Sequence, residues 1–252
     1  MTHLYVGMPI WSFVIVADLK VVLMQDPVTL KVLRSPDEGK TWSPVSGPEE
    51  AIRLIPHPHS KDMAFIIGRS TTHWVTYNRG DSWQSFTTPR EASLSGDTLN
   101  FHAEKDGWIL FQGLACDEGG WGSRKTCWDE TFYTTDAFRS ETKLLLTQTS
   151  SCLFARSTKD FSDAPENTVF CVAFDENQKP GGHSYKESRL YSSDDWFATK
   201  RFIDMGIGKR AKGVMGLGVV SKFMVVAMKV EEGEAKRASA GDPMYVVYVG
   251  RH

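Results

Sequence analysis

The residues that could do chemistry fall into a few groups. Asp117-Glu118, Asp129-Glu130 and Glu231-Glu232 are adjacent carboxylate pairs. A glycosidase needs two carboxyls facing one another about 5–10 Å apart, whereas neighbours along a strand point to opposite faces. His57-Pro-His59 offers two imidazoles, but no Cys or acid stands at zinc-ligand spacing from them, so a loop pair is expected and not a metal site. Gly206-Ile-Gly208-Lys209-Arg210 resembles a phosphate loop only superficially: Ile203 stands where the first Gly is required, and Arg210 replaces Ser/Thr. No Gly-x-Ser-x-Gly nucleophile elbow occurs. The residues therefore predict no catalytic centre, no metal and no cofactor.

Four cysteines remain, Cys116, Cys127, Cys152 and Cys171, with no Cys-x-x-Cys spacing among them. Two local disulfides in an oxidising lumen and four buried thiols in a reducing compartment both fit that spacing. The net charge of −2 over 252 residues gives no long-range attraction to nucleic acid or anionic lipid. No apolar run reaches the roughly 18 residues a membrane span needs. Met8–Ala17 is apolar enough for a signal-peptide core, but no Lys or Arg precedes it, and it leads straight into strand-like sequence. A first β-strand is the expected reading.

The elements that would carry these side chains are strands. Short runs rich in Val, Ile, Phe, Tyr and Trp recur between Gly, Pro, Asp and Ser clusters, as at Val21–Met24, Met63–Ile67, Trp108–Phe111 and Phe223–Met228. A repeat punctuates them. Ser35-Pro-Asp37-Glu-Gly39-Lys-Thr41-Trp42 and Thr76-Tyr-Asn78-Arg-Gly80-Asp-Ser82-Trp83 share the pattern Ser/Thr-x-Asp/Asn-x-Gly-x-Ser/Thr-Trp, the Asp-box. Degenerate copies are expected at Thr134-Thr-Asp136-Ala-Phe138 and Ser192-Ser-Asp194-Asp-Trp196, with an aromatic in the glycine place. The acid or amide positions 37, 78, 136 and 194 are then 41, 58 and 58 residues apart.

The motif suits a tight hairpin turn. Asp or Asn can accept from backbone N–H groups just ahead of it, Gly can take φ > 0, and the Trp packs back on the sheet. Asp37, Asn78, Asp136 and Asp194 are thus read as turn residues, not as catalytic acids or cation ligands. Arg79-Gly80-Asp81 falls inside a box and is read as an accident of it. Each box joins the last two strands of a four-stranded unit, and a radial array of such units is an all-β propeller.

Asp-boxes occur in several propeller families, so the segments between them decide. Ile55-Pro-His57-Pro-His-Ser-Lys-Asp-Met63-Ala-Phe-Ile-Ile67, Leu99-Asn-Phe-His102, Trp108-Ile-Leu-Phe-Gln-Gly113 and Cys127-Trp-Asp-Glu-Thr-Phe-Tyr-Thr-Thr-Asp136 resemble the sortilin family, above all its fungal vacuolar sorting receptors. Lys186-Glu-Ser-Arg-Leu-Tyr-Ser-Ser-Asp194 and Gly216-Leu-Gly-Val-Val-Ser-Lys-Phe-Met-Val-Val-Ala227 continue the likeness, which runs from about Val21 to Val249.

The resemblance implies disulfides Cys116–Cys127 and Cys152–Cys171. It implies a ten-bladed lumenal propeller in late Golgi and endosomes that grips a peptide segment of vacuolar hydrolase precursors, such as carboxypeptidase Y, in its tunnel. This chain would supply blades at approximately 10–47, 48–90, 91–148 and 149–205 and an incomplete fifth at 206–252. Its partners would be those precursors and the rest of the receptor's propeller, with no nucleic acid and no membrane insertion by the chain itself. A truncated gene or a fragment is the expected reason for four blades and part of a fifth. No ligand-contacting residue is carried over. The alternatives are a sialidase-like glycoside hydrolase, whose Arg-Ile-Pro motif has only Arg53-Leu-Ile-Pro56 as a displaced counterpart, and an interaction propeller with no sorting role.

Overall fold

The computed structural model describes residues 12–16, 20–26, 28–117, 126–159, 164–174, 188–204, 211–220, 223–230 and 244–248. Glu118, Gly206–Arg210 and Glu231-Glu232 lie outside them. The regular structure of the described residues is all strand apart from one short 3-10 turn at Ala155–Ser157, and the fold is a β-propeller.

Two compact units are present. The first, residues 1–92 with 136–142, holds two four-stranded antiparallel meanders. One is β1 (Ser12–Val16), β2 (Val21–Gln25), β3 (Val32–Ser35) and β4 (Ser43–Pro44). The other is β5 (Ala51–Pro56), β6 (Ala64–Gly68), β7 (Thr72–Thr76) and β8 (Gln84–Thr87). β1 lies within the apolar segment that the sequence assigns to a first strand. In β6 every residue of Ala64–Gly68 is buried, as an inner strand covered on both faces must be. Val21, Leu23, Val32, Ala51, Leu54 and Ile66 form one apolar cluster, with Trp74 and Trp83 packed on it.

The sequence then passes β9 (Glu91–Ala92) into the second unit, residues 93–135 and 143–252. There β10 (Leu99–Phe101), β11 (Ile109–Cys116), β12 (Cys127–Thr134), β13 (Lys143–Phe154), β14 (Val169–Ala173), β15 (Arg189–Ser193) and β16 (Arg201–Phe202) pair in chain order. β13 explains why this run is continuous. Its first half pairs β12 as far as Thr149↔Asp129, and its second half pairs β14 from Thr149↔Ala173. Gln148, at φ +54°, forms the corner between the halves, and its carbonyl accepts from Phe174 N at 3.0 Å. One 12-residue strand thus ends one meander and begins the next. β17 (Ala211–Val220), β18 (Phe223–Val230) and β19 (Met244–Tyr248) form a three-stranded sheet. Val214, Met224 and Val226 of that sheet pack with Leu153, Phe170, Val172 and Leu190.

Candidate functional site

The boxes are four copies of one turn. In the first, Lys40 N donates to Asp37 O at 3.4 Å across Glu38 (φ +63°) and Gly39 (φ +85°). Two successive positive-φ residues belong to hairpin turns whose twist matches that of the strands. Asp37 Oδ1 accepts from Thr41 N at 2.8 Å and from Ser35 Oγ at 2.9 Å, and its Oδ2 accepts from Thr41 Oγ1 at 2.8 Å. Ser35 Oγ accepts from Gly39 N at 2.7 Å, and Trp42 Nε1 donates to Gly39 O at 3.0 Å. The Thr41 amide leads in holding the Asp37 carboxyl down at about 2.

The second turn repeats this. Asn78 Oδ1 accepts from Thr76 Oγ1 at 2.9 Å and from Ser82 N at 3.0 Å, and Asn78 Nδ2 donates to Ser82 Oγ at 2.9 Å. Gly80 N donates to Thr76 Oγ1 at 2.8 Å. Gly80 has φ +76°, which glycine adopts freely, and a Cβ there would lie 2.7 Å from Leu23 Cδ2 and have to displace that side chain. The Trp83 indole N–H is buried with no acceptor, unlike that of Trp42. The Arg79-Gly80-Asp81 charges are engaged within the unit. Arg79 Nε pairs with Asp62 at 2.6 Å, and Asp81 lies 3.6 Å from the Arg34 guanidinium.

In the third turn Asp136 Oδ1 accepts from Arg139 N at 3.1 Å and Ser140 N at 3.3 Å. Ala137 and Phe138 carry the positive φ values. The Phe138 ring stacks on Phe86 at 4.1 Å and meets Phe65 edge-on at 6.0 Å. Arg139 sits 3.9 Å above the Tyr77 ring, and the Tyr77 hydroxyl donates to Ala137 O at 2.8 Å.

The fourth turn corrects the sequence register by one residue. Its acid is Asp195, not Asp194. Asp195 Oδ1 accepts from Ser193 Oγ at 2.7 Å and Thr199 N at 2.9 Å, and its Oδ2 accepts from Thr199 Oγ1 at 2.6 Å. Ser193 Oγ in turn accepts from Phe197 N at 2.9 Å, and the positive-φ pair is Trp196-Phe197. The Thr199 hydroxyl and amide hold the Asp195 carboxyl down at about 2. Asp194 instead pairs with Arg201 at 2.7 Å. The doublets Ser192-Ser193 and Asp194-Asp195 permit either register. The signal that separates them is the hydroxyl four residues beyond the acid, which Thr199 supplies to Asp195 and Ala198 cannot supply to Asp194. Trp196 stacks on Tyr133 at 4.3 Å and meets Trp108 edge-on at 5.1 Å.

Cys116 and Cys127 are bonded across β11 and β12, and Cys152 and Cys171 across β13 and β14, each directly opposite in register. The second bridge is buried among Leu110, Leu145, Phe154 and Val169, while Cys116 is exposed.

Among the described residues the remaining candidates are held in local contacts. Glu130 is buried and accepts from Trp128 Nε1 and Thr147 Oγ1, both at 3.3 Å. Its neighbour Asp129 accepts from Ser95 Oγ at 3.1 Å and Gln112 Nε2 at 3.2 Å. Among the described residues no group of three His, Cys, Asp or Glu is placed to hold a metal ion, and no helix is long and apolar enough to cross a membrane.

Sequence reasoning missed the structural work of the histidines. His57 Nδ1 accepts from His59 N at 3.1 Å and Ser60 N at 3.0 Å. His102 Nδ1 does the same for Glu104 N and Lys105 N, both at 3.1 Å. His57 N donates to Met63 O and His102 N to Trp108 O, both at 3.1 Å. The two residues therefore cap equivalent hairpin loops after the first strands of successive meanders. His73 is fully buried: Nδ1 accepts from Gly68 N at 3.1 Å and Nε2 lies 2.9 Å from Thr88 Oγ1. Burial pushes its pKa down to about 4. An Asx-like role for histidine two residues before backbone donors is the signal that could have found His57 and His102.

An oligogalacturonate lyase from Vibrio parahaemolyticus superposes with a TM-score of 0.53 at 10% identity, over 87% of this chain and 58% of its own. A eukaryotic initiation factor superposes with a TM-score of 0.52 at 9% identity, over 98% of this chain and 55% of its own. At such identities they show the fold alone. The family model described as sortilin, neurotensin receptor 3 (Sortilin-Vps10) matches residues 30–242. A vacuolar protein sorting/targeting protein 10 from Laccaria bicolor is 41% identical over 218 residues, 84% of this chain and 15% of its own length. One from Mycosarcoma maydis is 37% identical over 247 residues, 92% of this chain and 16% of its own. The chain thus spans about a sixth of these relatives. The repeated box turns and this match over most of the sequence establish that the chain belongs to the sortilin/Vps10 family.

Proposed function

We propose that this chain is a lumenal, ligand-binding part of a vacuolar protein sorting receptor and not an enzyme. The carrying observation is the 41% identity to a vacuolar protein sorting/targeting protein 10 across 84% of the chain. The cargo would be soluble hydrolase precursors such as that of carboxypeptidase Y, carried from late Golgi to endosome and vacuole by a membrane-anchored parent protein. The blades follow approximately 10–47, 48–90, 91–148, 149–205 and from 206 onward. Together with the rest of the propeller they would enclose the tunnel in which a peptide segment lodges, since strand edges and loops on an inner wall suit an extended peptide. The cross-strand disulfides agree with an oxidising lumen, and no nucleic acid or membrane insertion by this segment is involved.

The test is binding of an immobilised carboxypeptidase Y propeptide, read by surface plasmon resonance. The full-length receptor is expected to bind, and a receptor lacking this segment is expected not to. Undiminished binding without the segment, or no binding by the full-length protein, overturns the proposal.

A further inference from the structure

His102 does more than cap its own loop. Its Nδ1 accepts two backbone N–H groups of the loop after β10, so the ring proton must reside on Nε2. That Nε2–H donates 3.0 Å to Glu166 O, in the segment between β13 and β14. Three further contacts tie the same two segments. Ala103 N donates to Arg156 O at 2.7 Å, Arg156 pairs with Glu104 at 3.0 Å, and Lys105 pairs with Glu166 at 3.3 Å. Arg156 Nε also donates to Ala164 O at 2.7 Å, bracing the second segment internally. The imidazole is fully buried at the centre, its ring edge-on to Trp108 at 5.3 Å and to Phe154 at 5.4 Å.

We propose that His102 is a proton-operated clasp: neutral, it joins the loop after β10 to the segment between β13 and β14, and protonated, it releases both. An imidazolium carries N–H on both nitrogens, so a second proton at Nδ1 would point at the amides of Glu104 and Lys105 and remove their acceptor. Burying an ion as well as unpaired donors is strongly unfavourable, and opening the loop to water relieves both.

The charged groups facing the ring are Glu104 and Lys105 on its own loop and Arg156 and Glu166 on the facing segment. The two acids favour the cation and Arg156 opposes it, yet each acid is already matched by a base in the ion pairs above. Burial leads, and it sets the His102 pKa below the ordinary histidine value of 6.5. The sign follows. Between the lowered folded value and 6.5 the open form binds more protons, so the clasp is fully held above 6.5 and weakens as pH falls through its own folded value. The proposal does not depend on the receptor reading.

Hydrogen exchange of the 252-residue chain at micromolar concentration tests it, with rates corrected for the intrinsic effect of pH. Protection at the amides of 103–105 and 155–156 is expected to fall between pH 7.5 and 5.0, by up to about tenfold for each unit between 6.5 and the lowered folded value. In His102→Asn the amide oxygen accepts the same two N–H groups as an Asx turn and does not titrate, so protection should be equal at the two pH values. Unchanged protection in the wild type, or the same loss in the Asn variant, overturns the clasp. NMR of the His102 ring decides independently of any variant. The proposal requires Nε2–H at neutral pH, titration below 6.5, and Glu104 and Lys105 amide shifts moving with it. An Nδ1–H tautomer or ordinary titration rejects it.

Discussion

At the scale of single residues, the box acids set the behaviour at low pH. Asp37 and Asp195 are held near 2 against 3.8 for a free aspartate, so between those values the unfolded chain binds more protons. Their contribution is fully present above about pH 4 and is lost as pH falls towards 2. Urea unfolding from pH 4.5 to 2.5 should show that loss, and Asp37→Asn with Asp195→Asn should flatten it. The one-residue correction has its own test. Asp195→Ala should lower the thermal midpoint by several degrees and Asp194→Ala by less than half as much, because the latter removes only an exposed pair with Arg201. Phe138 combines positive φ with a buried, stacked ring. Phe138→Ala should destabilise by about 3 kcal/mol. Phe138→Gly should destabilise by about 1 kcal/mol less, since glycine escapes the left-handed penalty; equal losses in chemical denaturation would show that φ is not strained there.

At the scale of elements, the strands, the box turns and the four turn acids but one were legible, because each rests on a local rule. Alternation buries one face, and an acid followed by a positive-φ pair closes a hairpin. Asp194 and Asp195 are not separable from the start of the motif, because two adjacent serines and two adjacent aspartates satisfy the same local pattern in either register, and only the Thr199 hydroxyl four residues on breaks the tie. The histidine caps were not legible from pattern, since their donors are backbone N–H groups that every residue carries. The disulfides could not be paired from spacing alone; the pairing came from resemblance, and register places each pair directly opposite. The two bridges should differ in weight. Replacing Cys152 and Cys171 by Ala should cost about 3 kcal/mol from loop entropy and more from the cavity left in an apolar cluster. The Cys116–Cys127 bridge closes a shorter loop, 11 against 19 residues apart, with Cys116 exposed, and its replacement by Ala should cost less by equilibrium unfolding.

At the scale of the whole molecule, among the described residues β19 pairs β18 alone, and a strand paired on one side is where a strand of another chain can add. Sedimentation velocity should therefore show average mass rising with concentration in the tens of micromolar; a single monomer species throughout would contradict this. The shared strand β13 has a different consequence, for modularity. A repeat protein is commonly thought divisible wherever one unit ends, and the stretch between β8 and β10 fits that view. Residues 143–154 do not, because the final strand of one meander is the opening strand of the next. A fusion junction, a recombination breakpoint or a protease nick there would orphan two meanders at once, so the two sheets can be inherited, exchanged or engineered only as a pair.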